Sequence, residues 1–135
     1  MFILDASIAG AWLLEETTNP LSERVLARLE DDEAAVPQIW HLEVRNCLLV
    51  AQRRRRIASS RSAERLAALY TLPIRIDADA DFDIAFALAE RHGLTFYDAV
   101  YLELAKRRFA PLATFDKALG RAAAVEQLPS LFESV

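Results

Sequence analysis

Phe2-Ile3-Leu4 is a short, wholly apolar run, and a carboxylate, Asp5, follows it at once. A run too short for a helix and apolar on both sides of its alternation suits a central strand of a parallel sheet covered on both faces. Ala34-Ala35-Val36, Pro73-Ile74-Arg75-Ile76 and Leu112-Ala113-Thr114 are further short strand candidates. Helical patterns fill the intervals. Ser7 to Leu14 reads as a short helix. Asn19-Pro20 offers a cap and a first-turn proline for a second helix with Leu21, Val25 and Leu29 on one face. Pro37 begins the helix that carries Glu43. Ser59 or Ser60 caps the next, where Ala63, Leu66 and Tyr70 fall on one side. Phe82, Ala85, Phe86 and Ala89 form a stripe that stops at His92-Gly93, a left-handed C-cap. Tyr97 to Arg108 and Lys117 to about Ala124 complete the helices, and the tail offers an edge strand. Strands alternating with helices predict an α/β three-layer sandwich, its mainly parallel sheet of four strands, or five with the tail, flanked by helices.

Composition sets bounds on this picture. The 135 residues are expected to form one domain, 1–135. With three Gly and five Pro, the chain has little material for long flexible loops. No apolar stretch approaches the ~18 residues of a spanning helix, and the opening run lacks a basic n-region, so a membrane partner is not expected. Cys47 is the only cysteine, which rules out an intramolecular disulfide framework and fits a reducing cytoplasm. A soft-metal site is not expected either, since His41 and His92 are the only histidines.

Four acids carry the functional signal. Asp5 ends the first strand. Glu43 lies at helical spacing among Ile39, Trp40, Asn46 and Cys47. Asp98 opens a helix whose Tyr101, Leu102 and Ala105 share its face, and Asp116 follows the run Pro111 to Phe115. Asp5 and Asp116 also have a plainer reading as helix caps, and the macrodipole favours an acid at Asp98. Ser7, two residues after Asp5, and Thr114, two before Asp116, are each placed to orient the neighbouring carboxylate or a bound water. Acids at strand ends and on apolar helix faces are costly without a partner. If the fold gathers the four, their repulsion calls for a hard, oxygen-ligated cation such as Mg²⁺ or Mn²⁺.

Two other features need weighing. Asp79-x-Asp81-x-Asp83 with Glu90 has the ligand spacing of an EF-hand loop, but Ile84 stands where the sharp turn needs Gly. These aspartates are better suited to a helix N-terminus. Arg53-Arg54-Arg55-Arg56, with Arg61 and Arg65 beyond, is the densest positive charge in a chain of net charge −4. It is either a solvated helix end or a strip that tracks the phosphates of RNA. Lys106-Arg107-Arg108 closes a helix where cations are expected anyway.

With these residues laid out, the chain resembles the PIN-domain ribonucleases, and among them the VapC-type toxins of toxin–antitoxin pairs. The matching segments are Ile3-Leu4-Asp5-Ala6-Ser7, Leu42-Glu43-Val44 with Asn46, Tyr97 to Ala105, and Ala113 to Leu119 with the small-residue run Ala122-Ala123-Ala124. The resemblance implies a PIN-like sandwich with a Mg²⁺ or Mn²⁺ site at Asp5, Glu43, Asp98 and Asp116. It also implies cleavage of RNA, homodimers, and inhibition by a cognate antitoxin protein. Family members carry Asp or Asn at the fourth position, so Asp116 is the least secure direct ligand. Two phosphotransfer alternatives fit less well. A haloacid-dehalogenase-type enzyme needs a second Asp where Ser7 stands, and of a receiver domain's features only Lys117 is matched. A non-catalytic PIN-like module that binds RNA or protein is the rival from another class.

Overall fold

The computed structural model describes residues 1–16 and 19–132. Among them, four strands and seven helices follow in the order β1 (Phe2–Leu4), α1 (Ala6–Leu13), α2 (Pro20–Arg28), β2 (Ala34–Pro37), α3 (Ile39–Arg53), α4 (Ser59–Leu69), β3 (Ile74–Asp77), α5 (Phe82–His92), α6 (Phe96–Arg108), β4 (Leu112–Ala113) and α7 (Lys117–Val125). The strands form one fully parallel sheet in the order β3-β2-β1-β4, flanked by the helices. Phe2, Ile3 and Leu4 have no solvent exposure, as an apolar run at the centre of a covered sheet requires. The register aligns Pro37 of β2 with Asp77 of β3, and the Asp5 amide donates to the Ala113 carbonyl, 3.0 Å. The carboxyl ends of the strands thus form one rim, the usual place for a site in such sheets.

Local signals account for most element boundaries. Asn19 caps α2 by accepting from the Leu21 amide, 2.9 Å, and Val25 and Leu29 are buried with Leu21 partly so. Asp81 caps α5 by accepting from the amides of Asp83 and Ile84, so the EF-hand spacing is a helix start. Gly93 ends α5 at φ 64°, a left-handed conformation that suits a residue without Cβ. At Gly10, an added Cβ would lie 3.0 Å from the Cys47 sulfur, so α1 and α3 meet closely there.

Five expectations need correction. Pro37 ends β2, where its missing N–H is tolerated, and α3 begins at Ile39. Ala58 takes the N-cap position of α4, with Ser59 and Ser60 inside the helix. The buried residues of α4 are Ser62 and Leu69, while Ala63 and Tyr70 are exposed. Ser62 tolerates this because Gln52 Nε2 donates to its hydroxyl, 2.7 Å. On α5, Ala85 and Leu88 face inward, and Phe82 and Phe86 are 64% and 60% exposed. That helix packs mainly on α6, which covers only a narrow seam of it. The tail forms no strand over 126–132, and residues 133–135 lie outside the described residues.

Two ionic clusters tie α6 to its surroundings. Asp77, buried at the end of β3, accepts from Arg107 (2.9 and 3.0 Å) and Arg108 (2.7 and 3.0 Å), while Arg107 Nε also donates to buried Glu103, 2.8 Å. Beyond α7, Glu126 receives Lys106 Nζ at 2.5 Å, Arg91 Nη1 at 3.0 Å and His92 Nε2 at 2.8 Å. The Lys106 hydrogen bond, opposed by burial and aided by His92 and Arg91, holds the Glu126 carboxyl down at about 2 from an ordinary 4.5. A lowered folded-state pKa stabilises the fold above the unfolded value, and that stability is lost as pH falls toward the folded one. Thermal stability is therefore expected to drop between about pH 4.5 and about pH 2. Glu126→Gln should cost roughly 1–2 kcal/mol at neutral pH, the figure being discounted because two of its partners are solvated, and should flatten that acid limb in calorimetric melts.

Candidate metal-dependent active site

The end of β1 fixes the first acid. Asp5 occupies the cap position of α1 with extended backbone, yet its side chain caps nothing. Instead Oδ2 accepts from the hydroxyls of Ser7 and Thr114, both at 2.7 Å. Ser7 in turn accepts from the Phe115 amide, 3.2 Å, and Thr114 from the Asp116 amide, 3.0 Å. One carboxylate oxygen is thus held by a seam linking β1, α1 and the β4–α7 loop. Among the described residues, no protein donor reaches Oδ1. The Ser7 placement agrees with the sequence reading. Thr114 does not, since its hydroxyl orients Asp5 and touches only the backbone of Asp116.

Glu43 projects from the second turn of α3, half-buried, and the Tyr101 hydroxyl of α6 donates to its Oε1 at 2.8 Å. Burial pushes the Glu43 carboxyl above its ordinary pKa, and the nearby charges of Asp5 and Asp98 push it further, against the Tyr101 hydrogen bond. Asp98 stands in the first turn of α6, where Thr95 caps the helix through the Asp98 amide, 3.2 Å. Burial raises its carboxyl too, followed by the charges of Asp116 and Asp5, with Thr95 pulling the other way. Asp116 is exposed and caps α7 by accepting from the Leu119 amide, 3.0 Å. The capping role is therefore real at Asp116 and absent at Asp5.

All four acids line one open depression of about 470 Å³, with Asn46, Cys47 and Glu16 also on its walls. Burial first, and then Glu16, raises the Cys47 thiol's pKa, so it lies there as a neutral thiol. Arg53–Arg56 lie elsewhere, exposed at the end of α3 and in the turn to α4. The sequence pattern places Tyr101 on the face of Asp98 and gives it no role of its own. It is fully buried, but its hydroxyl also needs a partner, and the face it shares with Asp98 was the available signal.

The donor set suits a hard cation: carboxylates, the Asn46 amide and the Ser7 hydroxyl, with no imidazole and with Cys47 held as a neutral thiol. Among the described residues, no three His, Cys, Asp or Glu side chains converge closely enough to enclose an ion by themselves. Mg²⁺ does not demand such a cage, because it keeps several waters and takes only one or two carboxylates directly. Mutually repelling acids held apart around a water-accessible depression fit that mode of binding.

Comparison with known proteins agrees with this architecture. The PIN domain family model matches residues 2–125. Ribonuclease VapC3 of Pyrobaculum aerophilum is 30% identical over 133 residues, covering 96% of this chain and 95% of that protein. Among solved structures, PAE2754 from Pyrobaculum aerophilum superposes with a TM-score of 0.71 at 23% identity, covering 90% of this chain and 84% of that one. A toxin–antitoxin complex from Klebsiella pneumoniae gives 0.58 at 18% identity, covering 83% of each chain. The parallel sheet, the acids at its rim and the match along nearly the whole sequence place this chain in the PIN domain family, alongside a VapC-type relative.

Proposed function

We propose that this protein is a Mg²⁺- or Mn²⁺-dependent endoribonuclease toxin held in check by a cognate antitoxin, with residues 1–135 acting as one nuclease domain. The observation that carries the reading is the gathering of Asp5, Glu43, Asp98 and Asp116 on one depression, where burial first, and then the neighbouring acids, raise the proton affinity of Glu43 and Asp98. The name of the Pyrobaculum relative supports RNA as substrate, and the Klebsiella neighbour supports an antitoxin partner. No helix among the described residues is long and apolar enough to cross a membrane. That and the lone cysteine fit action in the cytoplasm. A homodimer belongs to the same reading, and exposed Leu42, Phe82, Phe96 and Tyr97 line one largely apolar groove that a partner could cover.

Asp5, Glu43 and Asp98 would hold the ion, with Asp116 contributing directly or through water. The chemistry a bound ion would supply is neutralisation of the charge growing on the scissile phosphate and a more acidic attacking water. The chain's own part is orientation. Ser7 and Thr114 fix Asp5 Oδ2 and leave Oδ1 without a protein donor among the described residues. Tyr101 fixes Glu43 Oε1 and so sets where Oε2 stands. Outer partners of this kind tune ligand position and affinity.

The experiment is cleavage of total RNA by purified, antitoxin-free protein, with Mg²⁺ or Mn²⁺ against EDTA. Discrete fragments with 5′-phosphate and 3′-hydroxyl ends, dependent on metal, are expected. Asp5→Asn and Asp98→Asn should each abolish cleavage while melting at or above the wild-type temperature, because each relieves like-charge repulsion. Full activity in either variant with metal supplied overturns the assignment. Stoichiometric RNA binding without turnover would favour a non-catalytic module. Tyr101→Phe should raise the Mn²⁺ concentration for half-maximal cleavage by about tenfold, with activity recovered at saturating metal. An unchanged metal requirement would remove Tyr101 from the machinery.

A further inference from the structure

The depression that holds the acids does not end at them. Leu14, at the C-terminal end of α1, lines both it and a second groove of about 290 Å³ bounded by Arg56, Arg61 and Arg65. Arg56, Ile57 and Ala58 also line a third, more open depression together with Arg55. Through these shared walls the three depressions adjoin in series as a furrow, from the acidic centre, past the end of α1 where Glu15 also lines it, to the turn between α3 and α4.

The charges along that furrow are not equivalent. Arg65 is structural, because it pairs with Glu15 at 2.7 Å and donates to the Leu13 carbonyl at 3.0 Å, pinning the end of α1 against α4. Arg61 is exposed and makes only a loose contact with Glu64, 3.7 Å. Arg55 and Arg56 are exposed and have no ion-pair partner among the described residues. Arg55 also holds φ 57°, a left-handed conformation that Gly or Asn would adopt at lower steric cost. At the same turn, α4 starts from Ala58 with no side-chain cap, so its first amide N–H groups have no side-chain acceptor. Unpaired guanidinium groups beside uncapped amides make a surface for phosphate oxygens.

We infer that Arg55, Arg56 and Arg61 form a track for the phosphates of a single-stranded RNA whose scissile linkage lies at the acids. The identification of the strand as RNA rests on the ribonuclease reading. The track itself rests on the arginines and on the shared walls of the furrow. Arg53 and Arg54 extend the same positive field but line none of the three depressions.

The test measures binding apart from chemistry. A fluorescein-labelled single-stranded RNA of mixed sequence is titrated with protein in EDTA across a range of salt. Arg56→Ala/Arg61→Ala is compared with Arg24→Ala/Arg75→Ala, which removes equal charge from α2 and β3, and circular dichroism checks both pairs for folding. The furrow pair should lose about tenfold in affinity, and its log–log salt slope should fall by about 1.4, roughly 0.7 for each lost contact. The control pair should lose much less. Equal losses in both pairs, or none in the furrow pair, overturn the track. In the second case the strand leaves by another route, or the arginines serve an acidic protein segment. Cleavage is then read separately with Mg²⁺ restored. Arginine-dependent binding by a wild-type protein that cuts nothing would sink the nuclease reading and still support the track.

Discussion

Like charge at the rim of the sheet is the constraint around which the molecule is arranged. Asp5 follows the most buried strand, so its position is set by the core, and it cannot move away from its acidic neighbours. Two hydroxyls on one oxygen hold it, and both come from segments adjacent to other parts of the site. The seam therefore orients a carboxylate without neutralising it. Hydroxyl donors satisfy a lone pair but carry no charge, so the repulsion remains available to a cation. A salt bridge at the same place would have neutralised the carboxylate and left nothing for a cation to compensate.

The contrast with the other buried acids makes the point sharper. Asp77 ends β3 level with Pro37, as Asp5 ends β1, and it too is almost fully enclosed. Yet Asp77 has two arginines on it and its pKa is strongly lowered, whereas Glu43 and Asp98 have none and their pKa values are raised. Glu103, one turn beyond Ala99 on the same helix, is matched by Arg107. Helix α6 thus carries a destabilising acid in its first turn and a stabilising ionic cluster toward its end. Position at a strand terminus does not by itself mark a functional acid. The absence of a cationic partner does.

Much of this was legible in the sequence because it depends on local rules. The apolar run before Asp5, the Asn19-Pro20 start and the Gly93 stop each act over a few residues, and each falls where the pattern places it. The errors came where tertiary packing decides. Phe82 and Phe86 make a helical stripe as convincing as any core face, but α5 meets α6 along Ala85 and Leu88. Thr114 lies two residues from Asp116 in a strand pattern and so looks like its partner, yet parallel pairing of β4 with β1 gives its hydroxyl to Asp5. Tyr101 was unreadable as a partner of Glu43 because 58 residues separate them. Asp116 kept two readings for a physical reason: an N-cap position and a place at the rim are the same location in this fold.

The separation of charge along α1 completes the arrangement. A protein of net charge −4 that gathers acids in one depression would repel a polyanion approaching there. Arginines placed among those acids would ease that approach and neutralise the acids themselves. Helix α1 runs eight residues, about 12 Å at the usual rise, between Asp5 at its start and the furrow at its end. The Debye length at physiological salt is about 8 Å, so charges at the two ends of α1 are largely screened from each other where solvent lies between them. On the reading proposed above, an RNA strand is drawn in by one field and positioned at the other, and each keeps its sign. The short first helix is what keeps the two apart.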